Sequence, residues 1–224
     1  MKLHMHPASI TSRPVRLFIA EKGLKVEPVI VDLFTGAHHQ EPFASFNPNR
    51  LVPVLEDGDL KLTESSAILK YLAEKHDLPE YPKALKERAK VNEIMDWVNS
   101  NFYRDWGYNL CYPQLFPHHR RQTDEAHRMT LEWGLKNSRF WLQVLNDYWL
   151  GHGGKWLAGD QITVADYFAG SIVALGEMIG FDLSKYPAVA AWLGRVKGMK
   201  HWAEVSEALD GFAASLKGQG FVKA

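Results

Sequence analysis

The sequence predicts two domains: an α/β domain built on a mixed four-stranded sheet, then an all-α helical bundle. Three observations carry this. Strand and helix signals alternate from the start of the chain and end on a hairpin and a helix. The segment His76-Asp77-Leu78-Pro79-Glu80-Tyr81-Pro82 then breaks the pattern with two prolines. Every apolar repeat after it has helical spacing. The domains are accordingly expected at residues 1–77 and 86–224, with a linker at 78–85.

Leu3 to Met5 reads as the first strand, and His6-Pro7-Ala8-Ser9 leaves it as a loop. A helix begins at Arg13. Val15, Leu17, Phe18, Ile19 and Ala20 are apolar, Pro14 sits in the first turn where its missing N–H costs little, and Gly23 suits the C-terminal cap. Val26 to Val31 is rich in β-branched residues, a second strand, so the chain opens β-α-β with parallel strands and a right-handed crossover. Asp32 to His39 is a loop and Gln40 to Phe46 a short helix. Val54-Leu55 and Leu60-x-Leu62 flank Asp57-Gly58, a strong hairpin signal. Glu64 to Lys75 follows as a helix. The order β-α-β-α-β-β-α is thioredoxin-like.

In the second domain Val91, Ile94, Met95, Val98 and Phe102 mark one face of a long helix. Asn109 to Gln122, rich in aromatics, prolines and basic residues, reads as a connector, with His118-His119-Arg120-Arg121 a solvated part of it. Leu131, Leu135, Ser138, Leu142, Leu145 and Trp149 form a bundle seam. Thr163-Val164-Ala165-Asp166 is a capping box with Asp in the usual Glu/Gln place, and Ile162 and Tyr167 flank it as a hydrophobic staple. Pro187 starts another helix with Val189, Trp192, Leu193 and Val196 inward, and a last helix spans about His201 to Leu216.

Composition narrows the function classes. Acids and bases balance at 26 each, so no global field draws nucleic acid or anionic membrane. The single cysteine, Cys111, excludes an intrachain disulfide framework and fits a reducing compartment. Met1-Lys2-Leu3-His4-Met5 leads into His6-Pro7 without a long apolar run, so no secretory signal is expected. Tyr167 to Phe181 is shorter than a membrane span and carries Glu177. The expectation is a soluble, cytoplasmic protein with no nucleic-acid or membrane partner. The pairs His38-His39 and His118-His119 lack a spaced Cys, Asp or Glu partner, so no metal is expected.

The chain is organised around Asn47-Pro48-Asn49-Arg50-Leu51-Val52-Pro53-Val54-Leu55-Glu56-Asp57-Gly58 and the following Leu60-Lys61-Leu62-Thr63-Glu64-Ser65-Ser66. A helix whose first turn holds Ser65 and Ser66 offers free N–H groups and a positive dipole end to an anion. Val52, ahead of Pro53, offers backbone to an extended peptide. The local reading is a site for an anionic, peptide-like ligand.

This run resembles the glutathione-binding half of soluble glutathione transferases. The run from Leu157-Ala158-Gly159-Asp160 to Ala165-Asp166 is similar to the same family, so the resemblance covers both domains. It implies a cis Val52–Pro53 bond, with Val52 pairing with the cysteinyl backbone of glutathione as co-substrate. Glu64 and Ser65 would hold the γ-glutamyl end. Arg50, next to Leu51, and His38 would approach the glycyl carboxylate, to which an arginine fork is suited. The family is usually dimeric, which implies a homodimer here.

The family's classes differ in the group that stabilises the glutathione thiolate. His6 to Arg16 contains no Tyr and no Cys but does contain Ser9, Thr11 and Ser12. His-Pro-Ala-Ser-x-x-Ser-Arg-x-Val-Arg resembles the theta- and delta-like, serine-type pattern and that of bacterial dichloromethane dehalogenases. A hydroxyl donating to sulfur favours the thiolate and lowers a thiol pKa that is otherwise ~8.5. The resemblance puts this role on Ser9. Ser12 stays open as the alternative: as N-cap its oxygen would accept from Val15, leaving Ser9 at the loop tip. Thr11 replaces the usual Pro and is a third possibility, while Arg13 would add positive potential near the sulfur. The resemblance also implies an electrophile site between the domains, for which Phe102, Trp106 and Leu110 are the candidates, with Tyr103, Tyr108 and Phe116 beside them. Conjugation of hydrophobic electrophiles is the first function expected. Glutathione-dependent peroxidase, disulfide reductase, isomerase or dehalogenase activity, or a non-catalytic docking module, are the alternatives.

Overall fold

The structure is a computed structural model that describes residues 1–223; residue 224, the end of the expected helical domain, lies outside the described residues. Strands β1 (Lys2–Met5), β2 (Glu27–Ile30), β3 (Val54–Asp57) and β4 (Leu60–Leu62) form a sheet in the order β2-β1-β3-β4. β1 is parallel to β2 and antiparallel to β3, and β3 turns back on β4, giving the mixed sheet expected. Helix α1 (Arg13–Lys22) makes the β1–β2 crossover and stops at Gly23, whose φ of 60° needs the absent Cβ. α2 (Phe43–Phe46) is a single turn, bracketed by Pro42 and an extended Asn47. α3 (Ser65–Lys75) buries Ile68, Leu69, Leu72 and Ala73 in the core that α1 and β3 share.

In the second domain α4 (Leu85–Trp97) does not give way to a connector at Asn109. The chain stays helical through Val98–Phe102 and Arg104–Cys111, wound with i→i+5 hydrogen bonds, and through α5 (Tyr112–Leu115); it first extends at Phe116. Pro113 does not break it; it lies just past the point where the i→i+5 winding ends at Cys111 and α5 begins. α6 (Asp124–Val144) opens on Thr123, whose hydroxyl accepts the N–H of Ala126 (3.1 Å). α7 (Val164–Val173) is buried at every position. The Asp166 carboxylate in its first turn accepts from the N–H groups of Leu157 (2.9 Å) and Thr163 (2.8 Å), the Thr163 hydroxyl (3.1 Å) and Nε1 of Trp192 (2.9 Å). Trp192 belongs to α8 (Pro187–Lys197), and α9 (Trp202–Ser215) closes the bundle. One core runs from Leu3 of β1 to Leu209 of α9 without a break at the domain junction. Among the described residues no helix is long and apolar enough to cross a membrane.

Candidate active site

A cleft of about 690 Å³ lies between the sheet domain and the α4–α5 and α9 helices. On the sheet side its wall starts at the loop after β1. His6 is buried there, and its Nδ1 accepts the N–H of Ala8 (3.1 Å). Burial pulls the imidazole below the usual histidine range, with Asp32 opposing and Arg16 assisting.

Ser9 lines the cleft although only 7% of it is exposed. Its Oγ accepts the N–H of Ser12 (3.2 Å) and lies 3.3 Å from Oγ1 of Thr11. Thr11 donates its one proton to the carbonyl of Val52 (3.0 Å), so Ser9 is the donor in that pair. Ser9 therefore holds the hydroxyl hydrogen that a ligand in the cleft can redirect, while Thr11 ties the loop to Val52.

The neighbouring candidates lie elsewhere. Ser12 is fully buried, does not line the cleft and does not cap α1. Its backbone is already helical (φ −78°, ψ −29°), and its hydroxyl has no partner among the described residues. Arg13 is also buried and turned away from the cleft. Its guanidinium donates to the carbonyl of Ser171 in α7 and lies 4.8 Å from the Trp202 ring, with burial drawing its pKa down to about 10. A first-turn arginine beside a second domain finds carbonyls there, not solvent or sulfur.

The second wall segment precedes β3. Asn47 builds it: its Nδ2 donates to the carbonyl of Leu51 (2.8 Å), its Oδ1 accepts the N–H of Asn49 (3.1 Å), and its own carbonyl accepts the N–H of Arg50 (2.8 Å). Arg50, with φ of 55°, and the exposed Leu51 border the cleft, followed by Val52 and Pro53 across a cis bond, as the resemblance implied. Glu64 precedes α3 with φ of 63°, a conformation costing a non-glycine residue roughly 1–3 kcal/mol and met mainly at functional sites. Ser65 then opens α3 beside it, so Glu64 and Ser65 meet Val52, Pro53 and Ser9 in one cleft. His38 enters from the loop after β2. Burial lowers its pKa, and His39 and then His118 add to this.

On the helical side Phe102, Trp106 and Leu110 are fully buried and do not line the cleft. Trp106 donates Nε1 to the carbonyl of Ile172 (3.0 Å) and packs on Phe181. The wall is made by the other candidates, Tyr103, Tyr108 and Phe116, joined by Tyr112 and, from α9, Phe212, which the sequence did not single out. Tyr103 and Tyr108 are five residues apart, which i→i+5 winding puts on one face, their ring centroids 5.2 Å apart. Tyr103 and Tyr112 share a hydrogen bond between their hydroxyls, and burial pushes both phenols above the usual tyrosine range. His118 and His119, read from sequence as solvated, also face the cleft, His119 against the Tyr112 ring at 5.1 Å. Among the described residues no group of three or more His, Cys, Asp or Glu side chains is arranged to hold a metal ion.

The loop ahead of β3, the N-terminus of α3 and the Ser9 hydroxyl thus face an aromatic wall across one cleft between the two domains, the architecture of a two-domain transferase. Residues 1–74 match the family model for the glutathione S-transferase N-terminal domain, and residues 139–198 that for the C-terminal domain. The chain belongs to the glutathione S-transferase family. It is similar to glutathione S-transferase theta-2 of Homo sapiens, 34% identical over 204 residues that cover 88% of this chain and 80% of that protein. It is also similar to theta-1 of Homo sapiens, 33% identical over 88% of this chain and 82% of that protein. The crystal structure of human glutathione transferase theta-2, in complex with glutathione and an unknown ligand, superposes with a TM-score of 0.84 at 31% identity, covering 100% of this chain and 93% of that one. A Nilaparvata lugens delta-class glutathione transferase superposes with a TM-score of 0.78 at 29% identity, covering 96% and 98%.

Proposed function

We propose that this glutathione transferase ionises the thiol of glutathione at Ser9 and adds the thiolate to small hydrophobic electrophiles. The observation that carries the proposal is the Ser9 hydroxyl, which accepts from Ser12 and whose proton, directed at Thr11 across 3.3 Å, a ligand in the cleft can redirect. A donor at sulfur favours the charged form, and the N-terminus of α1 favours it further, by about 0.3–1 kcal/mol. Glutathione would lie extended along Val52 and Pro53. Its γ-glutamyl carboxylate would sit at Ser65 and the first turn of α3, its amino group at Glu64, and its glycyl carboxylate at Arg50 and His38. The electrophile would meet Tyr103, Tyr108, Phe116 and Phe212. A cytoplasmic homodimer belongs to the same proposal on family grounds, with sedimentation as its check.

The test is a titration of bound glutathione by thiolate absorbance, beside a chromophoric conjugation assay. Ser9→Ala is expected to stay on immobilised glutathione, while its bound thiol titrates nearer ~8.5 and kcat at about pH 6.5 falls roughly 10- to 100-fold. Ser12→Ala is the comparison. If Ser12→Ala shifts the titration and Ser9→Ala does not, the serine assignment is wrong. Absence of calorimetric heat with glutathione would overturn the whole reading. Binding without turnover on any electrophile would favour a docking module.

A further inference from the structure

Helix α1 reaches the helical domain through Arg13, Arg16 and Glu21. Arg13 grips α7 through the carbonyl of Ser171, and Oε1 of Glu21 accepts the N–H of His201 just ahead of α9 (2.7 Å). Both are struts between helices. Arg16 differs, because its Nη1 donates to two carbonyls in different parts of the site: Pro7 (3.0 Å) and Val205 of α9 (2.8 Å). Pro7 lies inside the turn closed by the Ser9 N–H on the carbonyl of His6 (3.0 Å), so a shift at Pro7 moves Ser9. α9 in turn brings Phe212 to the cleft, stacked on Phe116 with centroids 5.6 Å and planes 3° apart. One guanidinium nitrogen thus spans the loop that carries the serine and the helix that walls the electrophile side.

We infer that Arg16 is a positioning residue for the transfer reaction, setting the Ser9 hydroxyl through the Pro7 carbonyl and coupling it to the seating of α9. The inference rests on Ser9 being the donor to sulfur. Its physical basis is that the carbonyls of Pro7 and Val205 converge on one nitrogen: Val205 lies inside α9 and keeps its place in the helix, so removing the guanidinium leaves the Pro7 carbonyl without its donor and the loop free to part from α9. Misplacing a catalytic group by about 1 Å costs up to ~100-fold in rate, so a small drift of the turn is enough.

The bound thiol is titrated in wild type, Ser9→Ala, Arg16→Gln and Arg16→Lys, with KM and kcat measured alongside. Arg16→Gln is expected to raise the apparent thiol pKa by about one unit and to lower kcat about tenfold at about pH 6.5, with KM for glutathione within about threefold. Arg16→Lys keeps the charge without the planar fork and is expected to fall between the two. Hydrogen exchange at Ser9 and at residues 205–209 is expected to rise together in Arg16→Gln. A lowered melting temperature with an unchanged thiol titration would make Arg16 a structural strut and overturn the inference. An Arg16→Lys titration identical to wild type, beside a shifted Arg16→Gln, would assign the effect to charge at a distance and overturn it equally. If Ser9→Ala titrates like wild type, the underlying reading fails; if Ser9→Ala shifts and both Arg16 variants do not, this inference alone fails. Where Arg16→Gln does not fold, Arg16→Lys carries the same titration and exchange measurements.

Discussion

The imidazole of His6 accepts the Ala8 N–H through Nδ1, and an imidazolium has no lone pair there to offer. Burial holds the ring below its ordinary pKa, and the carboxylate of Asp32, 3.9 Å from Nε2, recovers only part of that shift. With the folded value depressed, the unfolded chain takes up the proton first. The contribution to stability is therefore fully present above ~6.5 and is lost as the pH falls through the depressed value. A melting-temperature series is expected to fall on the acid side of about pH 6.5 in wild type. The acid limb should flatten in His6→Asn, which keeps an acceptor for Ala8 but does not titrate; identical limbs would show that another group carries the acid sensitivity. At this scale the serine-bearing loop was legible through the family resemblance, since His6 to Arg16 holds Ser9, Thr11 and Ser12 but neither the Tyr nor the Cys of other classes. Ser9 meets the cleft and Ser12 does not, as the resemblance implied, but the bond that engages the Thr11 hydroxyl could not be read locally, since its partner Val52 is 41 residues away.

The first turn of α7 depends on one carboxylate. Asp166 receives four donors in a fully buried place, and burial still pushes its carboxyl above the usual range. Asp166→Ala would orphan the N–H groups of Leu157 and Thr163 and the indole N–H of Trp192 together. The expected cost is about 3–5 kcal/mol, from ~1–3 kcal/mol for each buried donor left unpaired, partly relieved by relaxation. Denaturant unfolding of the variant checks this, and a loss under about 1 kcal/mol would mean that water replaces the carboxylate. The local capping-box spacing was enough to find this helix start. The helix from α4 to α5 shows the opposite case. Asn109 to Gln122 reads as a connector, yet packing against α6 and the segment after α7 keeps the backbone helical as far as Leu115, with a wider winding up to Cys111. That winding turns Tyr103 and Tyr108 to the cleft and Phe102 and Trp106 to the core, a choice outside the reach of a 3.6-residue template.

Across the molecule, the continuous core and the three α1 side chains join the domains more firmly than a proline-containing linker implies. Calorimetry is expected to record one unfolding transition, with calorimetric and van't Hoff enthalpies in a ratio of about 1 although chains of this size often unfold in steps. A separate early peak for the sheet domain would contradict it. Period, caps and turn chemistry were enough to give the order of elements along the chain and a mixed four-stranded sheet followed by helices, and the Val52-Pro53 to Glu64-Ser65 run, through its family resemblance, the sheet-side wall of the cleft. All of these depend on residues close in sequence, whose spacing constrains their geometry. The place of Tyr112 and Phe212 in the helical wall, the choice of Tyr103 and Tyr108 over Phe102 and Trp106, and the inward turn of Arg13 and Arg16 were decided only when the domains packed. Their orientation depends on partners up to 189 residues away, such as Val205 for Arg16, and no local pattern encodes such a contact.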